Sequence, residues 1–456
     1  MALLGSRTKT VWRRAISLGW PISVQHTFTT LMRTVDIIVT GLFSPAAVAA
    51  VGLADLYAQV PLRVGLGLGS GAIALSSQDT GRGAQVTRDT AITQSLVLGA
   101  FCGLPLVAVG FFFGAPLIAL LGAEPEVARL GGLYLTFVFG IAPMRIVGLV
   151  GARALQGAGD TRTPMILNGG TNLLNAVLTV TLGLGLWVAP ELGIVGVGLA
   201  TAISRAAEAV TVTAAIASSR TVLSLNFSRN LTIAKQVVAV SLPTFAEGMS
   251  SSLANFPFNA ILLLFGTEAN AAYHISRRIY QQLTGPIYRS VSTVTSIVVG
   301  QTLGEGEPVA ARANAKSLLG LSLLLLTGAG VVMFAGAWPL VRVFTSDLTT
   351  QRQAVTFTRV FAVSMPFFAV FFPLAGTLRG AGDTRTPFYA RLVGAFVFMV
   401  GASYLLSITL GYGLPGVYAG MILTYLSWAI IVGAGFVWGG WTETAASMIA
   451  ERAENA

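Results

Sequence analysis

Long runs of apolar residues follow one another along almost the whole chain and decide which solvent it can fold in. Each run has roughly 20 or more residues, which is enough for a helix to cross a hydrocarbon core about 30 Å thick. Hydrophobic residues make up 54% of the chain and charged residues only 10%, so no stretch has the composition of a separate soluble domain. Because a helix satisfies its backbone hydrogen bonds internally, the sequence predicts an all-α membrane protein.

Glycine, proline and charged residues divide this apolar sequence into twelve predicted transmembrane helices. The first six cover about 15–40, 46–77, 89–113, 127–155, 164–188 and 192–217, and the second six cover about 235–264, 268–301, 310–337, 350–378, 387–410 and 414–438. The predicted domains are an N-terminal lobe at 1–217, a cytoplasmic linker at 218–234, a C-terminal lobe at 235–438 and a cytoplasmic tail at 439–456.

One eight-residue sequence occurs twice without change. Gly-Ala-Gly-Asp-Thr-Arg-Thr-Pro occupies residues 157–164 and again 380–387, so the offset between the copies is 380 − 157 = 223. This spacing indicates a tandem duplication of the whole chain. Each copy contains an even number of spans, so the two six-helix lobes are expected to be parallel, with a pseudo-two-fold axis along the membrane normal. Within the motif, Gly would permit a tight turn, and Asp or Thr would cap the next helix.

The positive charges indicate an orientation in the membrane. The net charge of +10 comes from Lys and Arg residues in short gaps between apolar runs, which argues against a nucleic-acid partner. One side collects Arg82, Arg88, Arg162, Arg220, Arg229, Lys235, Arg312, Lys316, Arg379 and Arg385, whereas the opposite loops hold Glu124, Glu126, Glu191, Glu268 and Asp347, with Arg129, Arg342 and Arg352 as exceptions. We therefore expect a multi-pass protein of the plasma membrane with both termini in the cytoplasm.

Three sets of residues resemble the multidrug and toxic compound extrusion (MATE) family of secondary transporters, in its archaeal and DinF-like type. They are Val35–Gly41 followed by Ala49–Leu53, the duplicated motif at 157–164 and 380–387, and Asn172–Asn175 followed by Gly196–Thr201. The resemblance covers nearly the full chain. It implies two six-helix lobes in a V shape that export amphipathic, often cationic compounds by antiport against Na⁺ or H⁺.

The resemblance also implies a cation-coupling site in the N-terminal lobe. Asp36 matches the family's carboxylate on span 1, and Asn175 and Thr201 match two of its polar partners on spans 5 and 6. Thr179 departs from the pattern, because many relatives have Asp there, and this leaves the choice between Na⁺ and H⁺ open. Oxygen atoms of Asp36, Asn175 and Thr201 would suit Na⁺, and a buried carboxylate could equally take a proton.

The residues themselves support a role for Asp36, and they leave an alternative. A charge near the bilayer centre costs about 2.5 to 3.5 kcal/mol on insertion scales, so Asp36 must face a partner, a cavity or water. That partner could simply be Arg33, three residues earlier on the same helical face. In the C-terminal lobe, Glu247 and Arg277 are expected inside the membrane. They are either a substrate or second proton site, or a buried ion pair that holds two helices together.

Two functions remain after these considerations. The first is an ion-coupled antiporter, expected to be a monomer, that exports small amphipathic, cationic compounds as its two lobes rock. The alternative is a flippase for a lipid or lipid-linked oligosaccharide, which predicts a strongly cationic cavity. An enzyme is not expected, because the sequence shows no metal cluster and no nucleophile with its base. The sequence contains no nucleotide-binding Gly-x-x-x-x-Gly-Lys-[Ser/Thr] motif, so ATP is not expected. No cofactor beyond the coupling ion is expected either. Besides the substrate, the expected partners are membrane lipids.

Overall fold

The computed structural model of the protein describes residues 5–186, 190–218 and 221–454. Within these ranges the regular structure is helical, without a strand. In chain order the helices are α1 (Ser6–Gly41), α2 (Pro45–Arg82), α3 (Gln85–Ala119), α4 (Pro125–Gly140), α5 (Ala142–Gly157), α6 (Arg162–Leu184), α7 (Gly193–Ala217), α8 (Leu231–Leu263), α9 (Thr267–Gly304), α10 (Pro308–Ala335), α11 (Ala337–Arg342), α12 (Leu348–Gly380), α13 (Arg385–Val393), the π-helical segments π1 (Gly394–Ala402) and π2 (Leu405–Thr409), α14 (Leu414–Trp438) and α15 (Trp441–Glu454).

The twelve predicted spans coincide with these helices, and the predicted all-α fold is confirmed. In the described part of the chain, eight helices are long and apolar enough to cross a membrane, and the bent pair α4 and α5 makes a ninth. The helices α1, α8 and α9 have 36, 33 and 38 residues, so they are long enough to cross a membrane. They are not among the eight, because polar and charged residues interrupt their apolar sequence. Span 5 ends earlier than predicted, because α6 stops at Leu184 and Gly185 follows with φ +66°. Its predicted last residues, 187 and 188, lie outside the described ranges.

The duplicated motif forms the same turn in both copies. Gly159 and Gly382 have φ values of +95° and +94°, which only glycine adopts without strain. The backbone N–H of Thr163 then donates to Asp160 Oδ1 at 3.0 Å. In the second copy the corresponding bond, from residue 386 to Asp383 Oδ1, is 3.1 Å long. The predicted turn is therefore confirmed, with Asp rather than Thr as the capping side chain.

Two spans differ between the copies. Span 4 is bent by 48° between α4 and α5, just before Pro143, whereas span 10 is the single helix α12 and contains the equivalent Pro366. Span 11 begins as α13 and then widens into π1 and π2, whereas span 5 is the regular helix α6. Such π segments are uncommon and often occur near functional positions. The duplication has therefore kept the order of the helices while their backbones diverged.

The chain forms two compact units whose boundaries fall inside three helices, α1, α8 and α15. One unit contains Met1–Ser23 and Leu242–Glu451, and the other contains Val24–Ser241 and Arg452–Ala456. The first part of α1 therefore packs with residues of the second repeat. For example, Ser290 on α9 donates to the carbonyl of Gly19 at 2.7 Å. We call these the C-terminal unit and the N-terminal unit, after the repeat that supplies most of each.

The connection between the two repeats lies along α3. Ser224 Oγ donates to Asp89 Oδ2 at 2.6 Å, and the backbone N–H of Asn226 donates to Thr93 Oγ1 at 2.9 Å. The predicted inner-side residue Arg220 lies outside the described residues. These contacts hold the described part of the connection, from residue 221 onward, within the N-terminal unit.

The cores of the two units are built from different side chains. Fully buried Ala50 and Ala54 represent the small residues that let helices of the N-terminal unit approach closely. In the C-terminal unit, Tyr280 stacks on Phe361 with ring centroids 4.3 Å apart, and many other rings surround them. The interior of the N-terminal unit therefore has room for polar side chains between closely packed helices, and those form the site described next.

Candidate cation-coupling site

Asp36 on α1 is hydrogen-bonded to a side chain of α6. Thr179 Oγ1 donates to Asp36 Oδ1 at 3.0 Å. Asp36 is half-buried, whereas Thr179 is fully buried. Because a hydrogen bond to an ionised group is stronger than a neutral one, Thr179 stabilises the charged form of this carboxylate. A threonine at this position therefore contributes one hydroxyl donor, and its oxygen remains available as a ligand.

A second contact lies one turn away and joins α6 to α7. Asn175 precedes Thr179 by four residues, so both side chains lie on the same face of α6. Asn175 Nδ2 donates to Thr201 Oγ1 at 3.5 Å, the upper limit for such a bond. Asn175 Oδ1 is buried and has no hydrogen-bond partner among the described residues. The structure thus places Asp36 against Thr179, and Asn175 against Thr201, on three neighbouring helices.

Arg33 does not pair with Asp36 in the structure. No ion pair between them occurs among the described residues, and the Arg33 side chain is exposed. Arg205 and Arg33 still contribute positive potential at Asp36, and Asp55 contributes negative potential. The alternative in which Arg33 merely neutralises Asp36 is therefore contradicted, and the hydrogen bond to Thr179 takes its place.

A further polar network, to which the sequence interpretation gave no role, continues along α6 and α7. Asn168 Nδ2 donates to Glu208 Oε1 at 2.8 Å, and Arg205 Nη1 forms an ion pair with Glu208 Oε2 at 2.7 Å. Asn172 Nδ2 donates to Asn168 Oδ1 at 2.7 Å. The signal for this network is present in the sequence, since Asn168, Asn172, Asn175 and Thr179 recur every three or four residues and so share one face of a helix.

The chemistry of these groups suits a small hard cation or a proton. Asp36 supplies a carboxylate, Thr179 and Thr201 supply hydroxyl oxygens, and Asn175 supplies a buried amide oxygen. Hard cations prefer oxygen ligands of this kind. Among the described residues, no group of three or more His, Cys, Asp or Glu side chains forms a transition-metal site. The site can therefore bind a monovalent cation reversibly or exchange a proton at one carboxylate.

In the C-terminal unit, Glu247 is held by two arginines that the sequence interpretation did not assign to it. Arg379 Nη2 lies 2.8 Å from both Glu247 oxygens, and Arg391 Nε lies 3.1 Å from Oε1. The Arg391 guanidinium also lies over the Trp428 ring, 4.4 Å from its centroid. The alternative in which Glu247 pairs with Arg277 is not what the structure shows, because α12 and α13 bring Arg379 and Arg391 to Glu247.

Arg277 has different neighbours. Its Nη1 donates to Asn255 Oδ1 at 3.3 Å, and it interacts electrostatically with Tyr273 and Tyr280. Arg277 and Glu247 were predicted to act in one substrate or proton site, and the structure gives them separate environments. Tyrosines surround Arg277, and arginines surround Glu247.

The Glu247 ion pair replaces an amide pair of the other repeat. Gln25 and Gln156 stand at the equivalent positions, since 247 − 25 = 222 and 379 − 156 = 223. Gln156 Nε2 donates to Gln25 Oε1 at 3.0 Å. Arg391 likewise corresponds to Asn168, since 391 − 168 = 223. The same three positions are therefore neutral amides in the N-terminal unit and charged groups in the C-terminal unit.

Comparison with known proteins agrees with the repeat. The MatE family model matches residues 21–181 and again residues 243–405, so it recognises each half of the chain separately. The start points of the two matches differ by 243 − 21 = 222, in agreement with the sequence repeat. Together the two matches cover more than half of the chain.

Individual relatives match over nearly the full length. "Probable multidrug resistance protein NorM" of Thermotoga maritima is 26% identical over 445 residues, which cover 95% of this chain and 94% of the relative. A MOP superfamily transporter from Pyrococcus furiosus has a structure that superposes with a TM-score of 0.86 at 21% identity over 97% of both chains. An outward-facing MATE family multidrug resistance transporter also gives 0.86 at 21% identity, over 99% of this chain and 97% of that one. This chain has the twelve-span, two-lobe MATE fold, and it belongs to the MatE family of membrane transporters.

Proposed function

We propose that this protein is an ion-coupled antiporter that exports small amphipathic, cationic compounds by rocking of its two lobes. The observation that carries the proposal is the hydrogen bond from Thr179 to Asp36 beside the Asn175 to Thr201 contact. A carboxylate placed in a spanning helix and held by a neutral donor, instead of by an arginine, is free to exchange a cation. Cation binding and release at Asp36 would then shift the equilibrium between two access states.

The relatives support the direction and the class of cargo. Several relatives of similar length bear the description "Probable multidrug resistance protein NorM". The sequence contains no Gly-x-x-x-x-Gly-Lys-[Ser/Thr] motif for a nucleotide. An ion gradient is therefore the proposed energy source, and the coupling ion is Na⁺ or H⁺. We further propose that the protein acts as a monomer in the cell membrane, with both termini in the cytoplasm. Labelling of single introduced cysteines in a Cys102→Ser background would test the position of the termini.

Dye efflux from proteoliposomes tests the coupling. A Na⁺ gradient and a H⁺ gradient are imposed separately on the wild type and on Asp36→Asn. We expect one gradient to drive efflux in the wild type and the Asp36→Asn variant to lose that dependence, because the amide cannot carry the negative charge that attracts the ion. The control is Asp347→Asn, which changes an exposed aspartate that caps the start of α12. Asparagine caps as well as aspartate, so this variant should transport normally.

Two results would contradict the proposal. If neither gradient moves any amphipathic cation while the protein translocates a fluorescent lipid, the flippase alternative replaces the antiporter. If Asp36→Asn couples as well as the wild type, the ion is bound elsewhere. Size-exclusion profiles in detergent show whether the variants remain folded.

A further inference from the structure

Helices α6 and α7 of the N-terminal unit contact each other through two polar pairs that share one register. Asn168 pairs with Glu208, and Asn175 pairs with Thr201. Seven residues separate the two positions on α6, and seven separate the two positions on α7. Since the two helices run antiparallel, the register between these pairs is fixed. Asn172, four residues after Asn168, therefore faces Ser204, which lies four residues before Glu208.

This middle pair contains two buried oxygen atoms without a hydrogen-bond partner. Asn172 is 4% exposed and Ser204 is 2% exposed. In the described part of the chain, neither Asn172 Oδ1 nor Ser204 Oγ has a partner. Asn175 Oδ1, one turn further along α6, is in the same condition. Most buried polar atoms in proteins are hydrogen-bonded, so three such oxygens on one seam between two helices indicate a ligand.

The neighbouring contacts fix which atom of the Asn172 amide is the free one. Both carboxylate oxygens of Glu208 accept hydrogen bonds, Oε2 from Arg205 Nη1 and Oε1 from Asn168 Nδ2. Asn168 must therefore turn Nδ2 toward Glu208 and Oδ1 toward Asn172. Asn172 then presents Nδ2 to Asn168 Oδ1 and to Thr29 Oγ1, which leaves its Oδ1 as the atom without a partner among the described residues. Asn172 Oδ1 is an acceptor, and the Ser204 hydroxyl oxygen can accept as well as donate, so the pair can hold a ligand that brings positive charge.

We propose that Asn172 Oδ1 and Ser204 Oγ form a second, inner binding site for a monovalent cation such as Na⁺, one turn along α6 from Asn175 of the Asp36 site. Along the axis of α6, Asn172 lies about 10 Å from Thr179 and about 6 Å from Asn168. A cation released from Asp36 passes along this seam toward the Glu208 carboxylate and stays within the N-terminal unit. This inference rests on the proposed coupling at Asp36, and it adds the path by which the ion leaves.

The other repeat lacks such a site. Ala395 and Phe398 correspond to Asn172 and Asn175, since 395 − 172 = 223 and 398 − 175 = 223. Ser427 corresponds to Ser204 by the same offset. Of the two inner-site residues, the C-terminal unit therefore retains the serine alone, and a single hydroxyl oxygen is too few to replace the hydration shell of a cation.

Equilibrium binding of ²²Na⁺ to the purified protein tests the proposal, together with Na⁺-driven dye efflux. We expect the wild type to bind two Na⁺ ions per chain, with one lost in Asp36→Asn and the other lost in the Asn172→Ala, Ser204→Ala double variant. The double variant should retain Na⁺ at Asp36 while its Na⁺-driven efflux falls roughly tenfold or more. Ser95→Ala is the matched control, because the Ser95 hydroxyl is fully buried in the same unit and, among the described residues, bonds only to the carbonyl of residue 91 on its own helix.

The outcomes separate the two proposals. If the double variant binds and transports as the wild type does, or if the wild type binds one Na⁺ or none, the inner site is overturned. If the double variant loses one ion while Asp36→Asn behaves as the wild type, the inner site stands and the proposed coupling at Asp36 fails. Should the double variant not fold, Ser204→Ala alone removes one oxygen ligand and is expected to weaken the inner site roughly tenfold. Unchanged affinity in that variant would also overturn the site.

Discussion

Thr179 is the residue at which this chain departs from the pattern that it resembles. Its hydroxyl is fully buried and donates to Asp36, so the position still serves the carboxylate although it carries no charge of its own. A second carboxylate there would repel Asp36 whenever no cation is bound. With threonine, the empty site holds a single negative charge that one monovalent cation or one proton neutralises.

The first prediction at this scale concerns Thr179→Val, which keeps the shape of the side chain and removes the hydroxyl. A hydrogen bond to a charged group contributes about 1.5 to 3 kcal/mol, and each 1.4 kcal/mol corresponds to a factor of about ten. If the coupling ion is Na⁺, the variant loses an oxygen ligand and the Na⁺ concentration needed for half-maximal efflux should rise roughly tenfold or more. If the coupling ion is H⁺, loss of the donor favours the protonated carboxyl, and the H⁺ concentration needed should fall between roughly tenfold and a hundredfold.

The control for this variant is Thr181→Val. Within the described part of the chain, the Thr181 hydroxyl bonds only to carbonyls of its own helix, at residues 177 and 178. That variant should leave the ion dependence unchanged. Equal effects of the two substitutions would show that a buried hydroxyl on α6 matters for folding, and that the bond to Asp36 has no specific role.

Site residues could be predicted from the sequence where they follow helical spacing within one helix or match the family pattern. Asp36, Asn175 and Thr201 were chosen in this way, and the structure places them on three neighbouring helices. The partners of Glu247 could not be predicted, because Arg379 and Arg391 lie on other helices, far from it along the chain. Such a pairing depends on how three helices pack, which hydropathy and spacing do not specify.

At the scale of helices, local turns were predicted correctly and bends were not. The turn at Gly159 and Asp160 follows from glycine geometry and a side-chain cap, which act within a few residues. The 48° bend between α4 and α5 does not follow from proline alone, since Pro366 is accommodated within the single helix α12. The same residue type therefore gives a bend in one repeat and a continuous helix in the other.

Helix α15 carries a fully buried arginine in its last turn. Arg452 donates to Gln236 Oε1 at 2.6 Å and to Gln78 Oε1 at 2.8 Å, and it forms an ion pair with Asp79 at 3.2 Å, all in the N-terminal unit. In the C-terminal unit, Arg14 donates to Gln301, the equivalent of Gln78. Position 236 corresponds to position 14, since 236 − 14 = 222, but it carries glutamine. In the N-terminal unit, Arg452 of the C-terminal tail therefore bonds to Gln78, as Arg14 bonds to the equivalent Gln301 in the C-terminal unit.

The second prediction concerns Arg452→Ala. Removing one partner of a buried ion pair costs roughly 3 to 5 kcal/mol, so the thermal unfolding midpoint in detergent should fall by several degrees. Arg452→Lys should not restore it fully, because an ammonium group cannot reproduce the planar fork that reaches three acceptors. Arg352→Ala, at an exposed position, is the matched control. If Arg452→Ala unfolds at the wild-type temperature, the buried network does not stabilise the N-terminal unit.

Across the whole molecule, the duplication has assigned different chemistry to its two halves. Phe258 and Ala402 correspond to Asp36 and Thr179, since 258 − 36 = 222 and 402 − 179 = 223, so the C-terminal unit has no second copy of the candidate coupling site. Instead it has a fully charged Glu247 and Arg379 pair where the N-terminal unit has Gln25 and Gln156. Sequence repetition therefore predicts the fold of each half well and its chemistry poorly.

The third prediction uses this equivalence. Glu247→Gln removes the carboxylate shared by Arg379 and Arg391, and we expect a loss of roughly 3 kcal/mol or more, measured as a lower unfolding midpoint. Adding Arg379→Gln and Arg391→Asn to that variant recreates the three amides Gln25, Gln156 and Asn168 of the other repeat. The triple variant should recover much of the lost stability. No recovery would mean that the packing around the two sites differs too much for one set of side chains to replace the other.

The boundary between the units inside α1 has a consequence for synthesis on the ribosome. Trp12 Nε1 donates to the carbonyl of Ser317 at 2.9 Å, a partner 305 residues later in the chain. At a translation rate of about 5 to 20 residues per second, that partner emerges roughly 15 to 60 s after Trp12 does. Helix α1 therefore waits while 305 further residues are made before its leading segment is covered. Premature termination between α1 and α10 leaves that segment exposed to quality control.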